Sequence, residues 1–203
     1  MYSIHEVLDI SDGVEYDLVT LDDLKAALSI TGSSEDSANE ARITRNSKLI
    51  GEYCDRIFAA VDVRETFVFA TGEASLTREP LNLWQYPIIS VSSVTVGGSE
   101  ITDYEFDASK GQIWRTSGTW SGRVVIEYRG GYELPGDAPA SLSTLVIEAV
   151  RQSRSFSSAD PTIRGTQHGD TRVDYYSAPQ QGSHGLPAVV VTGLASFRRI
   201  SIA

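Results

Sequence analysis

The segment from residue 86 to residue 132 constrains the fold more than any other part of the chain. It holds four short runs that are rich in Val, Ile, Tyr and Trp, at 86–96, 104–106, 111–114 and 123–128. Each run is closed by Gly, Asp or Ser-Gly, which are residues that favour turns. Short β-rich runs separated by turn residues are typical of antiparallel strands, so this segment predicts an antiparallel β-meander.

Helical patterns flank the predicted meander on both sides. Thr20 is a suitable N-cap for a first helix. A second helix is predicted over 37–60, and a third begins at Pro139 and ends near Arg154 or Phe156. The sequence therefore predicts an α+β fold: a small helical bundle of three main helices, with an inserted antiparallel β-meander and an extended C-terminal arm.

Apolar residues on the stripes of these helices supply most of the predicted core. They recur at intervals of three and four, which places them on one side of each helix. The predicted core residues are Leu24, Leu28, Ile50, Ile57, Phe58, Leu142, Leu145, Val146 and Val150. We expect these side chains to pack on one face of the sheet.

The composition divides the chain into three parts. Residues 1–18 are acidic and weakly patterned, which predicts a solvated N-terminal arm, and residues 19–156 form the predicted compact domain. In residues 157–203, Gly and Pro interrupt every pattern, and only 171–177 and 188–192 resemble strands. A long segment with so little order of its own is typical of a functional arm. We expect this extended C-terminal arm to order against neighbouring molecules.

The end of the arm supplies the candidate contact residues. Phe197, Arg198, Arg199 and Ile200 place an aromatic and an aliphatic side chain beside two cations. An aromatic side chain next to arginine is enriched where interfaces hold most of their binding energy. We therefore predict that these four residues contact a neighbouring protein. The alternative is that residues 189–200 add an edge strand to the chain's own sheet.

The charge of the chain limits its partners. Lys and Arg number 17 against 27 Asp and Glu, which gives a formal net charge of -10 at pH 7. Affinity for nucleic acid comes largely from Lys and Arg residues that replace counterions. A sequence-specific DNA reader is therefore disfavoured, whereas a protein that lets DNA pass without binding it is not.

The sequence offers no candidate catalytic, cofactor or metal site. The histidines, His5, His168 and His184, lie outside the predicted compact domain, and a metal site needs several converging ligands. Neither a P-loop nor a Gly-x-Ser-x-Gly elbow occurs. The single cysteine, Cys54, excludes an internal disulfide framework. We expect a protein that is not an enzyme and that needs no metal or cofactor.

Two further features bear on function. No apolar run is long enough to span a membrane, and the first residues lack the pattern of a signal peptide, so we expect a protein made in the cytosol. Trp84, Trp114 and Trp120 favour one alternative, a carbohydrate-binding domain with an aromatic platform. Aromatic residues on alternating strands are more often half-buried core, which argues against that alternative.

Several segments, taken in order, resemble a known family. They are VTLDDLK at 19–25, LIGEYC at 49–54, YPIISVSSV at 86–94, Tyr104, GQI at 111–113, Trp120, VIEYRGGY at 125–132 and LP at 134–135. This ordered set, which covers residues 19–155, resembles the head–tail connector (adaptor) proteins of tailed bacteriophages, of the siphovirus type. The segment at 86–94 is similar to the family's strand of a proline, apolar residues and Ser-Val.

The resemblance implies a structural virion protein at the head–tail interface, made in the host cytoplasm. It implies a ring, typically of twelve subunits, between the portal and the tail, with DNA passing through the lumen. The implied partners are the portal protein, a tail-side connector or tail terminator protein, other copies of the chain, and DNA that passes through the lumen without sequence-specific binding; no membrane is involved. Residues 197–200 would contact the portal or a neighbouring subunit. The alternative within this class is another virion ring protein, of tail completion or of the baseplate.

Overall fold

Strands and helices separate into two units along the chain. The structure is a computed structural model that describes residues 1–9, 16–76, 78–158, 165–168, 171–174 and 183–199. The sheet unit comprises Met1–Glu15 and Ile57–Glu133, and the helical unit comprises Tyr16–Arg56 and Leu134–Ala203. The described residues combine helices with antiparallel sheets, so the predicted α+β class is confirmed. The partition at residues 18 and 156 stays a prediction.

The described residues of the sheet unit form two antiparallel sheets. Their strands are β1 (Tyr2–Asp9), β2 (Val61–Val68), β3 (Leu81–Asn82), β4 (Ile88–Val96), β5 (Ser99–Glu100), β6 (Tyr104–Asp107), β7 (Gln112–Arg115) and β8 (Arg123–Gly130). The larger sheet has the order β1-β2-β8-β4-β5, and the smaller sheet has the order β3-β7-β6.

The predicted continuous meander over residues 86–132 does not form. Strand β8 lies between β2 and β4, whereas β6 and β7 belong to the smaller sheet. The reason is the alternation in β8, where Val124, Ile126 and Tyr128 are completely or almost completely buried. Pairing with β2 and β4 places these side chains beside Val63, Phe67 and Val94 in one apolar core.

The N-terminal residues that were predicted as a solvated arm form a strand between 2 and 9. Strand β1 pairs antiparallel with β2, from Tyr2 opposite Val68 to Val7 opposite Val63. The acidic pattern did not indicate a strand because main-chain hydrogen bonds, rather than side chains, provide this pairing. Residues 10–15 lie outside the described part of the chain.

A polar network lies inside the sheet unit. Gln85 is fully buried, its backbone N–H donates to the Tyr128 hydroxyl at 2.9 Å, and its Nε2 donates to the carbonyl oxygens of Ile57 and Ala59. The Tyr128 hydroxyl donates in turn to the buried Glu65 carboxylate at 3.2 Å. The network joins the loop before β4 to the two central strands, because Glu65 lies on β2 and Tyr128 on β8.

Gly131 permits the close approach of two chain segments beside this network. Its φ of +113° lies in a region that L side chains rarely adopt. A Cβ atom at this position would lie 2.3 Å from the carbonyl oxygen of Ala59. Only glycine therefore fits between the end of β8 and the segment that enters β2.

We predict that Tyr128→Phe destabilises the protein by about 1–3 kcal/mol. The substitution leaves the buried N–H of Gln85 without its acceptor and removes one donor from Glu65. The free energy of unfolding in urea measures the effect. The matched control is Tyr104→Phe, because among the described residues the half-buried Tyr104 hydroxyl has no hydrogen-bond partner. Equal stability of the two variants would contradict the role of the network.

The described residues of the helical unit include four α-helices and two short antiparallel strands. They are α1 (Leu21–Leu28), α2 (Asp36–Cys54), α3 (Ala140–Ser158), α4 (Ala188–Gly193), β9 (Gly165–His168) and β10 (Thr171–Asp174). The Thr20 side chain accepts a hydrogen bond from the backbone N–H of Asp23, so the predicted N-cap is confirmed. Helix α2 ends at Cys54 rather than at residue 60, because Asp55 takes a left-handed conformation and the Arg56 N–H bonds back to the carbonyl of Gly51.

Most of the predicted core residues are buried. Leu24, Ile50, Leu142, Val146 and Val150 are fully buried in the helical unit. Leu28 and Leu145 are half-buried. Ile57 and Phe58 belong to the sheet unit, where Phe58 is buried and Ile57 packs partly against the sheet core. The expected packing of all nine residues on one sheet face stays a prediction.

The strand-like run predicted at 188–192 is a helix. In and beside α4, Leu186, Val190 and Leu194 are fully buried and recur every four residues, which is the spacing of one helix face. A Cβ atom on Gly193 would lie 2.5 Å from the Leu145 side chain, so α4 lies close against α3. Burial of this face outweighs the β propensity of consecutive valines. The description as an extended arm is therefore wrong for residues 183–199.

We predict that Leu194→Ala destabilises the protein by about 2–5 kcal/mol, because it removes buried side-chain atoms and leaves a cavity. Val189→Ala is the control, since Val189 lies in the same segment but is 57% exposed. We expect the control to change stability by less than about 0.5 kcal/mol. Thermal unfolding followed by circular dichroism separates the two variants. A small effect for Leu194→Ala would show that this segment does not belong to the folded unit.

Candidate assembly surfaces

Strand β1 exposes its more apolar side. Tyr2 and Ile4 are each 60% exposed, although both lie on a part of the strand that is paired with β2. Ser3, His5 and Val7 occupy the alternate positions, opposite buried residues of β2, and therefore face the core side of the sheet. Exposed apolar side chains on one strand are typical of an interaction surface.

These side chains form part of a shallow concavity of about 350 Å³ on the open face of the sheet. We call it the β1 surface; its residues are Tyr2, Ile4, Glu6, Arg64, Thr66, Val68 and Arg123. They come from β1, β2 and β8, which are neighbours in the larger sheet. The β1 surface is therefore a property of the sheet and not of one loop.

Of the two arginines on the β1 surface, only Arg64 forms ion pairs with described residues. Arg64 pairs with Glu127 at 2.8 Å and with Glu6 at 3.6 Å, and the hydrogen bond to Glu127 is the main cause that raises the pKa of Arg64. Among the described residues, Arg123 makes no ion pair. The surface therefore combines apolar side chains with a cation that is available to a carboxylate.

An aromatic contact holds β1 from its inner side. The ring of His5 stacks on Trp84, with the ring centroids 4.3 Å apart and an interplanar angle of 13°. Trp84 is itself joined to the sheet, because its backbone N–H donates to Glu65 at 2.8 Å. Strand β1 is thus held by its main-chain pairing with β2 and by the contact of His5 with Trp84. The β1 surface is therefore already formed before any partner binds.

The predicted contact residues at the C-terminus lie on the helical unit. Arg198 is exposed, and its guanidinium lies 5.7 Å from the ring centroid of Tyr53 on α2, within the range of a cation–π interaction. The backbone N–H of Arg199 donates to the carbonyl of Cys54 at 3.0 Å, and Phe197 is half-buried. Ile200 lies outside the described residues. Contact of this segment with another protein stays a prediction.

Cys54 lies beneath this C-terminal segment as a buried free thiol. Burial raises the pKa of Cys54 to about 11, against smaller opposing effects of Arg56 and Arg198. The thiolate is the reactive form of cysteine. The arrangement therefore makes Cys54 a packing residue and not a nucleophile.

We predict that Cys54 does not react with a thiol reagent in the native protein at about pH 8, where the thiol stays protonated and covered. Reaction with one thiol per chain should appear only after unfolding in guanidinium chloride. Absorbance after addition of an aromatic disulfide reagent measures both states. Fast reaction of the folded protein would contradict the burial and the raised pKa.

The other residues considered for chemistry are not brought together. Trp120 is 1% exposed and donates its indole N–H to the carbonyl of Glu79, while Trp84 and Trp114 are half-buried. The exposed platform that carbohydrate binding requires is therefore not formed. Among the described residues, no group of three His, Cys, Asp or Glu could hold a metal ion. No helix in the described part of the chain is long and apolar enough to cross a membrane.

Sequence reasoning missed the β1 surface. Its signal was the apolar residues at alternate positions Tyr2, Ile4 and Leu8. That pattern predicts a strand with one apolar side, but it normally indicates that this side is buried. Only the position of β1 at the sheet edge shows that the apolar side faces outward.

Comparison with solved structures finds a likeness along almost the whole chain. A chain in the neck of an empty gene transfer agent (GTA) particle, computed with C6 symmetry, matches with a TM-score of 0.54 and 12% identity, covering 98% of this chain and 97% of that chain. A chain in the neck of the native GTA particle, computed with C12 symmetry, has a TM-score of 0.52 and 13% identity with the same coverage. A chain in the virion of the native GTA particle gives 0.52 and 14%, again with that coverage.

In sequence, no protein-family model and no curated protein matches the chain. At identities of 12–14%, the structural likeness shows the fold. The chain thus has a fold that occurs in the neck of gene transfer agent particles, with both units included.

Proposed function

We propose that the chain is a structural subunit of a virion neck, a head–tail adaptor that forms a dodecameric ring between the portal and the tail. The observation that carries this proposal is the likeness to neck chains of the GTA particle, which extends over 98% of this chain and 97% of the neck chain. A likeness of that extent includes both the sheet unit and the helical unit. It therefore concerns the whole architecture and not one common motif.

The exposed surfaces support an assembly role. A subunit that contacts its neighbours through two different surfaces forms a ring when the rotation between neighbours closes, and a filament when it does not. The β1 surface exposes Tyr2 and Ile4 beside the uncompensated Arg123, and an aromatic residue near arginine is a frequent centre of binding energy. Such a patch on a chain with otherwise ordinary composition favours protein contact over catalysis, and we infer that the protein is not an enzyme.

The charge supports passage of DNA through the ring. A formal net charge of -10 gives the chain low average affinity for a phosphate backbone. At physiological ionic strength the repulsion is screened beyond about 8 Å, so it does not block the passage. The genome would therefore slide past the ring without sequence-specific binding.

We also propose that Phe197, Arg198 and Arg199, with Ile200 beyond the described residues, contact the portal protein or a neighbouring subunit. Arg198 is exposed and is held over Tyr53, which limits its freedom before binding. A side chain that is ordered in advance loses less entropy when a partner binds. A carboxylate on the partner would complete this contact, and the tail-side connector or tail terminator would bind elsewhere on the ring.

Native mass spectrometry of the purified chain, with and without the cognate portal protein, tests the proposal. We expect a ring-sized oligomer or a complex in which a ring of this chain sits on the portal. The double variant Arg198→Ala and Arg199→Ala should weaken portal binding by about tenfold or more, which corresponds to about 1.4 kcal/mol. Arg45→Ala, a change at an exposed arginine of α2, is the control. A chain that stays monomeric at every concentration and ignores the portal would contradict the proposed function.

A further inference from the structure

Strand β1 ends the larger sheet with an open edge. It is the first strand in the order β1-β2-β8-β4-β5, and no described strand lies on its outer side. All residues from Tyr2 to Glu6 are exposed, at positions that point to both faces of the sheet. Their register against β2 is regular from Tyr2 to Val7. A long exposed edge with a regular backbone is a template for the addition of another strand.

The described part of the helical unit contains a second sheet, which consists of two strands only. Strands β9 and β10 have four residues each and pair antiparallel, from Gly165 opposite Asp174 to His168 opposite Thr171. Neither strand pairs with any other described strand, and no described helix packs along them. Two short strands alone are marginally stable in water. A third strand would therefore stabilise the β9–β10 pair.

Of these two strands, β10 is better suited to pair with another edge. It contains the β-branched residues Thr171 and Val173, which favour strands, and it contains no glycine. Strand β9 begins with Gly165, and glycine weakens a strand. The outer edge of β10 is therefore the stronger candidate for a contact with β1.

The charges on β1 and β10 are compatible with antiparallel pairing. With Arg172 opposite Glu6, the same register places Asp174 opposite Ile4, so that no like charges lie opposite each other. Glu6 is 66% exposed and lies 3.6 Å from Arg64 of its own sheet. Its carboxylate can accept from a second cation as well, because it has two oxygen atoms. Opposite charges across a strand pair stabilise it.

We propose that β10 of one subunit adds antiparallel to the β1 edge of the next, so that the larger sheet of one copy continues into the β9–β10 pair of its neighbour. This inference rests on the proposed function and names the contact between neighbouring subunits of the ring. Main-chain hydrogen bonds supply most of the affinity. The contact joins the sheet unit of one copy to the helical unit of another, and a ring requires such a head-to-tail contact between two different surfaces.

Two other arrangements would use the same edges. Pairing of β1 with a second β1 joins two identical edges, so it stops at a dimer and leaves β10 unpaired. Pairing of β10 with β1 of the same chain would extend the sheet without joining subunits. The three arrangements give different products when cysteines are introduced on the two strands.

Cysteine cross-linking between two different chains tests the contact. A chain with Ile4→Cys is co-expressed with a second, differently tagged chain that carries Arg172→Cys, Val173→Cys or Asp174→Cys. Three positions on β10 are used because successive side chains of a strand point to opposite faces and because they allow for a shift of register. Cys54 is fully buried and gives little background.

Under mild oxidation, we expect a disulfide-linked dimer of the two different chains in at least one mixture, and no dimer from any variant alone. Rings without a mixed dimer in all three mixtures would overturn the contact while the proposed function stands. Dimers of Ile4→Cys alone would overturn it in favour of a two-fold β1 contact. A disulfide within a chain that carries both cysteines, with no mixed dimer, would overturn it in favour of pairing within one chain. Absence of rings from the wild-type chain, with and without the portal, would contradict the proposed function itself and this contact with it.

A proline in β10 provides a second test. Val173→Pro should raise the protein concentration needed for ring formation by about tenfold or more, because proline cannot donate to a strand ladder. Val173→Thr is the matched control; it keeps the β-branched shape and should change this concentration by less than about twofold. Both variants should keep the melting temperature of the wild type, since two short strands add little stability by themselves. Rings of Val173→Pro at the wild-type concentration would overturn the contact.

Discussion

The position of β8 in the larger sheet decides which strand lies at the open edge. Main-chain pairing with β2 on one side and β4 on the other holds β8 in the centre of the sheet, and its side chains Val124, Ile126 and Tyr128 are buried in the core of the sheet unit. This arrangement leaves β1 at the edge of the sheet. Strand β1 then presents main-chain groups that water must satisfy in the monomer and that another strand could satisfy in an assembly.

The polar network around Tyr128 favours the central position of β8 over other positions in the sheet. A carboxyl group in an apolar interior is costly unless hydrogen bonds satisfy it, and Glu65 receives hydrogen bonds from the Tyr128 hydroxyl and from the backbone of Trp84. The same hydroxyl holds Gln85, which lies just before β4. The network therefore fixes where β4 starts.

In the C-terminal segment, some side chains form part of the core and others stay exposed. Leu186, Val190 and Leu194 pack inside the helical unit, while Arg198 stays exposed over Tyr53. The candidate contact residues therefore belong to a folded segment. An ordered segment loses less conformational entropy on binding than an arm that must first fold, so fewer contacts suffice for a given affinity.

The sequence by itself determined the mixed α+β class, the helices α1 to α3 and most of the helical core. These features depend on neighbours within a few residues, such as the Thr20 cap and the apolar stripe that includes Leu142 and Val146. The candidate residues Arg198 and Arg199 could be named from composition, but neither the contact with Tyr53 nor the bond to Cys54 could.

The tertiary structure alone decided the strand order, the strand at the N-terminus and the helix α4. Pairing of β1 with β2 joins residues about sixty positions apart, and the three valines of α4 follow a local preference for strands that burial against α3 overrides. The outward orientation of the apolar side of β1 also depends on long-range packing. A pattern of alternating residues shows that two sides differ, but only the long-range packing shows which of them meets the core.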